Sequence, residues 1–362
     1  MELIFICTKS ITFNSFLKSQ ADYFIRKGVK VMVSCSDIDN LNFEDKFKYK
    51  INFPKNLFNL INIINYVTIY FQIKTLVKKN PSAIYYIHTP LASHLFRLFT
   101  YFYKIKIIYF VHGFRFTPQT SYIKNFLFKS IEKILASKTK IFITINNHDF
   151  EYSKLHLSKN KTLCYKVNGV GLNYNSMHFK KRIENKNKIK KILVIAAYKK
   201  DKGYHEILKL ADLLKNSKVH IDCYGYGDYR RFYNIKNKKK INNLTFNEFD
   251  INLKNKIKNF DILVHLSKRE GLPVSIMQSL AEGLPVICYN IRGNNDLIHD
   301  NFNGFFVKSY NEIPIKLSLL KSNLSEFNKI RNNAFKTITN EYLTSEINLK
   351  LFNIINKYYT KN

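Results

Sequence analysis

Residues 269–298, REGLPVSIMQSLAEGLPVICYNIRGNNDLI, constrain this chain more than any other stretch. Residues 262–266 form a short apolar run of strand type, and Glu270 to Pro273 reads as a turn. Residues 274–282 have helical spacing, and residues 286–289 are a second strand-like run. Pro273 stands at the helix start, where its missing N–H costs nothing, and Gly283 stands just past the helix end. This order puts the Glu270 carboxylate at the carboxyl end of a strand, beside helix N–H groups that lack intrahelical partners. Such a loop, Gly271-Leu272-Pro273-Val274, suits a phosphorylated, hydroxyl-rich ligand. The N–H groups can hold a diphosphate, and Glu270 can accept hydrogen bonds from sugar hydroxyls.

The same alternation runs through the rest of the chain. Residues 3–7, 29–35, 83–88, 105–110 and 140–145 are strand-like. Residues 15–27, 56–79 and 122–137 are helical, the first closed by Gly28. This pattern predicts a doubly wound parallel sheet. It fails around residues 166–189, where Asn168-Gly169-Val170-Gly171 is flexible and residues 180–191 are charged. It restarts with a strand at 192–197, a helix at 204–216 and a strand at 219–224. The lysine-dense residues 234–243 read as a solvated loop. Residues 345–359 are apolar at helical spacing, through Ile347, Leu351, Ile354 and Ile355. A chain of 362 residues is too long for one ordinary core. The expectation is two domains, 1–170 and 171–345, with a last helix over 346–362.

The formal charge of +33 predicts attraction to polyanions: nucleic acid, an anionic lipid surface or a diphosphate. Lysines are spread along the whole chain, so drift in composition competes with that reading. There is no nucleic-acid motif, and the aromatic residues are dispersed. The five cysteines, Cys7, Cys35, Cys164, Cys223 and Cys288, are odd in number and lack a CxxC pair. They read as small buried apolar residues in a reducing compartment. The opening residues read as a first strand, not a secretory signal. No run reaches the ~18–20 apolar residues that span a bilayer. Asp37-Ile38-Asp39 has the spacing of a metal-binding Asp-x-Asp but sits on an apparently polar loop. No other cluster has metal-ligand spacing.

Residues 269–298 resemble the signature of the family 4 retaining glycosyltransferases, whose Glu-x7-Glu pair falls here on Glu270 and Gln278. The resemblance implies the GT-B fold: two Rossmann-like doubly wound parallel-sheet domains facing across a cleft. It gives Glu270 the donor sugar and Gln278 the nucleotide ribose. Gln278 keeps an acceptor oxygen but no charge, so donor affinity is where the departure bears. His112, in Val111-His112-Gly113-Phe114, and His88, in His88-Thr89-Pro90, resemble elements of a bacterial exopolysaccharide subgroup. There His112 would lie over the donor sugar, with His88 on the acceptor side. Thr144-Ile145-Asn146 and Asn168-Gly169-Val170-Gly171 match later elements of that subgroup. The family's diphosphate-neutralising Arg and Lys fall on Ala197 and Lys202, with Lys199 or Lys200 as substitutes for the Arg. Gly225 and Gly227 would let backbone approach the nucleotide, and Asn294, in Arg292-Gly293-Asn294, would face the donor. The loop from Thr8 to Thr12 lacks the family's glycines, so Thr12 is only a loosely defined acceptor-side residue.

The resemblance implies hexosyl transfer from a nucleotide diphosphate sugar, UDP-linked, to a polyprenyl-diphosphate-linked glycan in capsule, O-antigen or related polysaccharide assembly. Glu270, His112 and Lys202 would be catalytic, with no cofactor or metal. The protein would be cytoplasmic and peripheral at the inner membrane face, through basic, aromatic segments such as 97–106 and 122–138. Two other readings stay open: a nucleotide-sugar epimerase on the same fold, and a non-enzymatic polyanion-binding protein.

Overall fold

The computed structural model describes residues 1–54, 63–118, 120–158, 162–174 and 189–360. They fall into two units, Met1–Gly171 with Thr344–Asn362, and Leu172–Leu343. Unit 1 is built on a parallel sheet of β1 (Glu2–Ile6), β2 (Lys30–Cys35), β3 (Lys48–Lys50), β4 (Ile84–His88), β5 (Lys106–Val111), β6 (Ile141–Thr144) and β7 (Leu163–Lys166). The spatial order is β3-β2-β1-β4-β5-β6-β7. Its helices are α1 (Ser10–Thr12), α2 (Lys18–Arg26), α3 (Ile63–Lys79), α4 (Pro90–Phe99), α5 (Tyr122–Ala136) and α6 (Asn147–Tyr152). Strands covered on both faces read as unbroken apolar runs, and every residue of β4, from Ile84 to His88, is buried.

Unit 2 repeats the plan with β8 (Lys191–Ile195), β9 (His220–Tyr224), β10 (Leu244–Asn247), β11 (Ile262–His265), β12 (Val286–Tyr289) and β13 (Gly304–Val307). Their order is β10-β9-β8-β11-β12-β13, all parallel. The helices are α7 (Tyr204–Leu213), α8 (Arg230–Lys238), α9 (Leu253–Lys256), α10 (Val274–Ala281), α11 (Ile313–Ser322) and α12 (Leu324–Glu341). The last helix, α13 (Thr344–Thr360), returns to unit 1 and packs on α2. The Asn348 amide donates to Ser19 O at 3.4 Å, and the Phe352 ring lies 6.0 Å from Phe24.

Each sheet reverses its winding once, between β1 and β4 in unit 1 and between β8 and β11 in unit 2. At such a point the loops leaving the two strands turn opposite ways and open a crevice at the carboxyl ends. The loops after β1, β4, β8 and β11 are therefore where chemistry is sought.

The units divide at 171/172 and 343/344, against the expected 170/171 and 345/346. Residues 234–243 are not a loop throughout. Helix α8 runs to Lys238 because Phe232 is fully buried and anchors it while the lysines point to water. Strands β3, β7, β10 and β13 and helices α4, α6, α9, α11 and α12 were not picked out in the sequence. Expectations on residues 56–62 and 180–188 lie outside the described residues. Four of the five cysteines are buried, and Cys164 is half-buried.

Candidate active site

In unit 2, Lys202 follows β8 and Glu270 follows β11, one on each side of the reversal. Gly203 lets them meet. It has φ +79°, and a Cβ there would sit 2.3 Å from the Leu266 carbonyl oxygen. Only glycine allows this turn to lie against the loop after β11. Lys202 Nζ then donates to Glu270 Oε1 at 2.6 Å. His265, the last residue of β11, brings Nε2 to 3.2 Å from the same oxygen, close enough for attraction but without hydrogen-bond alignment. Arg292 Nε donates to the Glu270 backbone oxygen at 3.0 Å. Burial by itself would raise the Glu270 pKa. His265, then Lys202, outweigh it and hold the carboxyl at about 2. The group is a fixed anion at any working pH.

Leu272 and Pro273 are buried, and Gly271 and Val274 are half-buried. Pro273 opens α10 in extended conformation, and its carbonyl accepts from Ile276 and Met277 N–H at 3.1 and 3.2 Å. The first N–H groups of the helix have no carbonyl one turn back, so the loop offers donors near a carboxylate and an ammonium. Gly293, with φ +83°, locks this loop, because a Cβ there would meet Gly271 O at 2.4 Å.

Gln278, half-buried, lines a cavity of about 280 Å³ with Leu172, Tyr174, Lys254, Ile257 and Glu282. Gly225 leaves no room for a side chain, since a Cβ would lie 1.9 Å from Ala196 O. Gly227 has φ +101°, and a Cβ there would make ordinary contact with Tyr198 at 3.8 Å. Lys199 and Lys200 are both exposed, and neither reaches the Glu270 carboxylate through a described contact. Asn294 is fully buried; its amide donates to Tyr289 O at 2.9 Å, which braces the loop from inside, and its Oδ1 is buried without a described partner.

In unit 1, Thr8 and Thr89 bridge the reversal between β1 and β4, with their hydroxyls 2.6 Å apart. Thr89 has φ +68°, an unusual angle for a β-branched residue, and this bond helps hold it. His88, the last residue of β4, is buried and stacks on Phe5. Its Nδ1 lies 3.1 Å from Nε2 of half-buried His112, just after β5. His88 Nε2 is buried without a described partner. An orphaned N–H is the rarer and costlier state, so His88 carries its proton on Nδ1 and donates to His112. His112 is left with its own proton on Nδ1. Desolvation lowers the His112 pKa to about 4, and desolvation with the neighbouring His112 pushes His88 well down. Both rings are neutral near pH 7.

Asp149 at the start of α6 accepts from Phe114 N–H at 3.2 Å and from the Asn146 amide at 2.9 Å, which fixes the chain just beyond His112. Thr12 closes the short helix α1, whose first N–H, that of Ser10, donates to Asp37 at 2.7 Å. Asp37 thus serves a helix start. Among the described residues no group of three or more His, Cys, Asp or Glu is placed to hold a metal ion.

His265 had gone unnoticed in the sequence, because it sits inside an apolar strand run. Its one signal was a polar residue at the end of a buried strand, five residues before the turn that opens at Glu270.

Two Rossmann-like parallel-sheet units, each reversing its winding once, give the GT-B fold. Residues 176–337 match the family model described as Glycosyl transferases group 1. A Bacillus subtilis protein assigned to the glycosyltransferases, EpsD, is 25% identical over 323 residues, covering 85% of this chain and 83% of that protein. The UDP-Gal:alpha-D-GlcNAc-diphosphoundecaprenol alpha-1,3-galactosyltransferase of Escherichia coli is 35% identical over 82 residues, 19% of this chain and 21% of that one. The solved sucrose-phosphate synthase of Thermosynechococcus elongatus superposes with a TM-score of 0.81 at 11% identity, over 100% of both chains.

Proposed function

We propose that this chain is a retaining hexosyltransferase that moves a sugar from a UDP-linked donor to a lipid-linked saccharide in cell-surface polysaccharide assembly. The observation that carries the reading is the permanently ionised Glu270, set beside Lys202 and the first turn of α10. A carboxylate accepts hydrogen bonds from sugar hydroxyls, and an ammonium with helix N–H groups receives a diphosphate. The names of two similar proteins point the same way, one a glycosyltransferase of Bacillus subtilis and the other a transferase from UDP-Gal to a diphosphoundecaprenol-linked sugar.

In the proposed reaction the acceptor hydroxyl attacks the anomeric carbon from the side on which the diphosphate departs. The bond from that carbon to the phosphate oxygen breaks. The acceptor proton passes to that phosphate oxygen, leaving UDP and a glycoside of retained configuration. Lys202 has three N–H donors; Glu270 takes one and the Arg269 carbonyl, at 3.4 Å, a second, so one remains for the leaving phosphate. Charge that grows on the diphosphate is met by Lys202 and the α10 N–H groups, with no divalent metal in the scheme. Neutral His112 has a donor at Nδ1 to offer a substrate hydroxyl. The cavity beside Gln278 and Glu282 takes the nucleoside.

Calorimetry with a panel of nucleotide sugars, followed by transfer to a polyprenyl-diphosphate saccharide, tests this. Binding of a UDP-sugar and a product of retained configuration are expected. UDP-sugar turnover to an epimer with no acceptor present would overturn it.

A further inference from the structure

The lysines of this chain are spread evenly, but its carboxylates are not. From Lys46 to Phe150 there are 16 lysines and arginines and only two of the chain's 26 acidic residues, Glu132 and Asp149. Both are buried, Glu132 holding Arg97 at 2.7 Å and His94 at 2.8 Å, and Asp149 holding the loop after His112. That stretch of unit 1 thus presents no described carboxylate to solvent, and drift in composition does not account for it. Arg97, being buried, is not one of the surface cations.

The same stretch builds a layer in which α3 packs on α4 and α4 on α5. Helix α5 is apolar on two sides. Phe128, Leu135 and Ala136 face the core. Ile123, Phe126 and Ile134 point outward, 79%, 66% and 62% exposed. Lys124, Lys129 and Lys133 flank them, exposed. A helix on a sheet surface is normally polar on its outer side. Helix α3 repeats the pattern with exposed Ile64 and Phe71 at helical spacing, and Lys74 Nζ bends to 5.7 Å from the Tyr70 ring. Between these helices, Leu98 of α4 is exposed, and Phe102 beyond it is 93% exposed. The turn carrying Phe102 is tied to the end of α5 by Lys138, 5.0 Å above Tyr101.

We propose that the outer face of the α3–α4–α5 layer docks on an anionic lipid bilayer and inserts the α5 side chains into it. Apolar side chains enter the acyl boundary while long lysines reach the headgroups. A second copy of the chain fits poorly, because the face would meet its own lysines. A nucleic acid offers nothing for exposed isoleucine and leucine to bury against. The surface would hold the enzyme beside a lipid-linked acceptor, and so deepens the functional reading above. It needs no nucleotide, so the two ideas fail separately.

The chain has no tryptophan, so Phe126→Trp adds a single reporter in the middle of the face. With vesicles of phosphatidylglycerol its emission should shift to the blue and be quenched by brominated acyl chains. Phosphatidylcholine should give weaker binding. Ile25→Trp, at an exposed position of α2, should do neither. Emission of the Phe126→Trp variant unchanged by vesicles, whether or not the protein sediments with them, would overturn the proposal. So would a blue shift that grows with protein concentration in the absence of lipid, which would mark a contact between copies. The double variant Ile123→Ser with Phe126→Ser should lose roughly tenfold or more in vesicle affinity. Its circular dichroism and UDP binding should match the parent. Unchanged vesicle affinity in that folded variant would also contradict the insertion.

Discussion

The Glu270 side chain has its partners on one oxygen: Lys202 at 2.6 Å and His265 at 3.2 Å both lie at Oε1. Glu270→Gln keeps the shape and removes the charge those partners balance. A charged hydrogen bond strengthened in the transition state is worth ~1.5–3 kcal/mol, so turnover should fall roughly ten- to a hundredfold. Steady-state kinetics on the folded variant checks this, and near-normal turnover would end the assignment. Gln278→Glu should retain transfer and tighten UDP modestly. Its gain is limited because the new carboxylate stands one helical turn from Glu282, on the wall of the same cavity. Like charges at that spacing repel by roughly 0.2–0.5 kcal/mol. Weaker UDP binding would mean that Gln278 meets another group. His112, held near pKa 4, stays neutral far below the ordinary histidine value of 6.5. The profile of kcat/KM should therefore show no acid limb near pH 6.5. At this scale Glu270 stood out as a carboxylate between a strand and a helix start, His112 as a histidine just after a strand, and Lys202 through the family resemblance alone. His265 did not, since a strand's last side chain looks like core until its neighbour is known. The full burial of Asn294 was not legible either, because a polar residue in a loop gives no sign of the carbonyl that its amide meets.

At the scale of elements, tight backbone passages set the site. Gly203→Ala would press a methyl against Leu266 O at a left-handed residue. Such strain costs ~1–3 kcal/mol, and relief would carry Lys202 away from Glu270. Reduced thermal stability together with weakened UDP binding is expected, measured by melting and calorimetry. A variant that melts like the parent would show that the turn has slack. The buried group of His94, Arg97 and Glu132 joins α4 to α5. Glu132→Gln leaves Arg97 buried with its charge unmet and should cost ~3–5 kcal/mol in denaturant unfolding. Most strands and helices α2, α5, α7, α10 and α13 were legible from the sequence to within a few residues, and the 18-residue α12 was not. Three-residue β3 and four-residue β7 and β10 were not, because so few residues carry no period. Helix α8 was obscured by its lysines, and one buried ring, Phe232, was enough to settle it.

Across the whole molecule, the ionisable groups predict where folding fails. His88 and His112 have depressed pKa values and bind fewer protons when folded than when unfolded. The stability they contribute is complete above about pH 6.5 and is lost as pH falls toward 4. Glu270 and Glu132 are depressed from 4.5 to about 2, so their contribution is lost across that lower window. Acid unfolding should therefore start below pH 6.5 and steepen below 4.5, as read by circular dichroism. The two-unit α/β plan was legible because each half alternates on its own. What sequence could not supply was which loops meet, since that depends on strand order, and strand order puts the loops after β8 and β11 side by side.

The central claim is that these two loops receive a nucleotide diphosphate sugar without help from a metal. Titration calorimetry of UDP and a UDP-sugar in EDTA, on the parent, Lys202→Met and Glu270→Gln, tests it most directly. The account predicts that the parent binds both ligands. Lys202→Met should lose about tenfold or more for each, as expected when a charged hydrogen bond to phosphate is removed. Glu270→Gln should keep UDP and lose only the extra affinity due to the sugar. No binding by the parent until magnesium or manganese is added, or equal binding by all three proteins, would contradict the account.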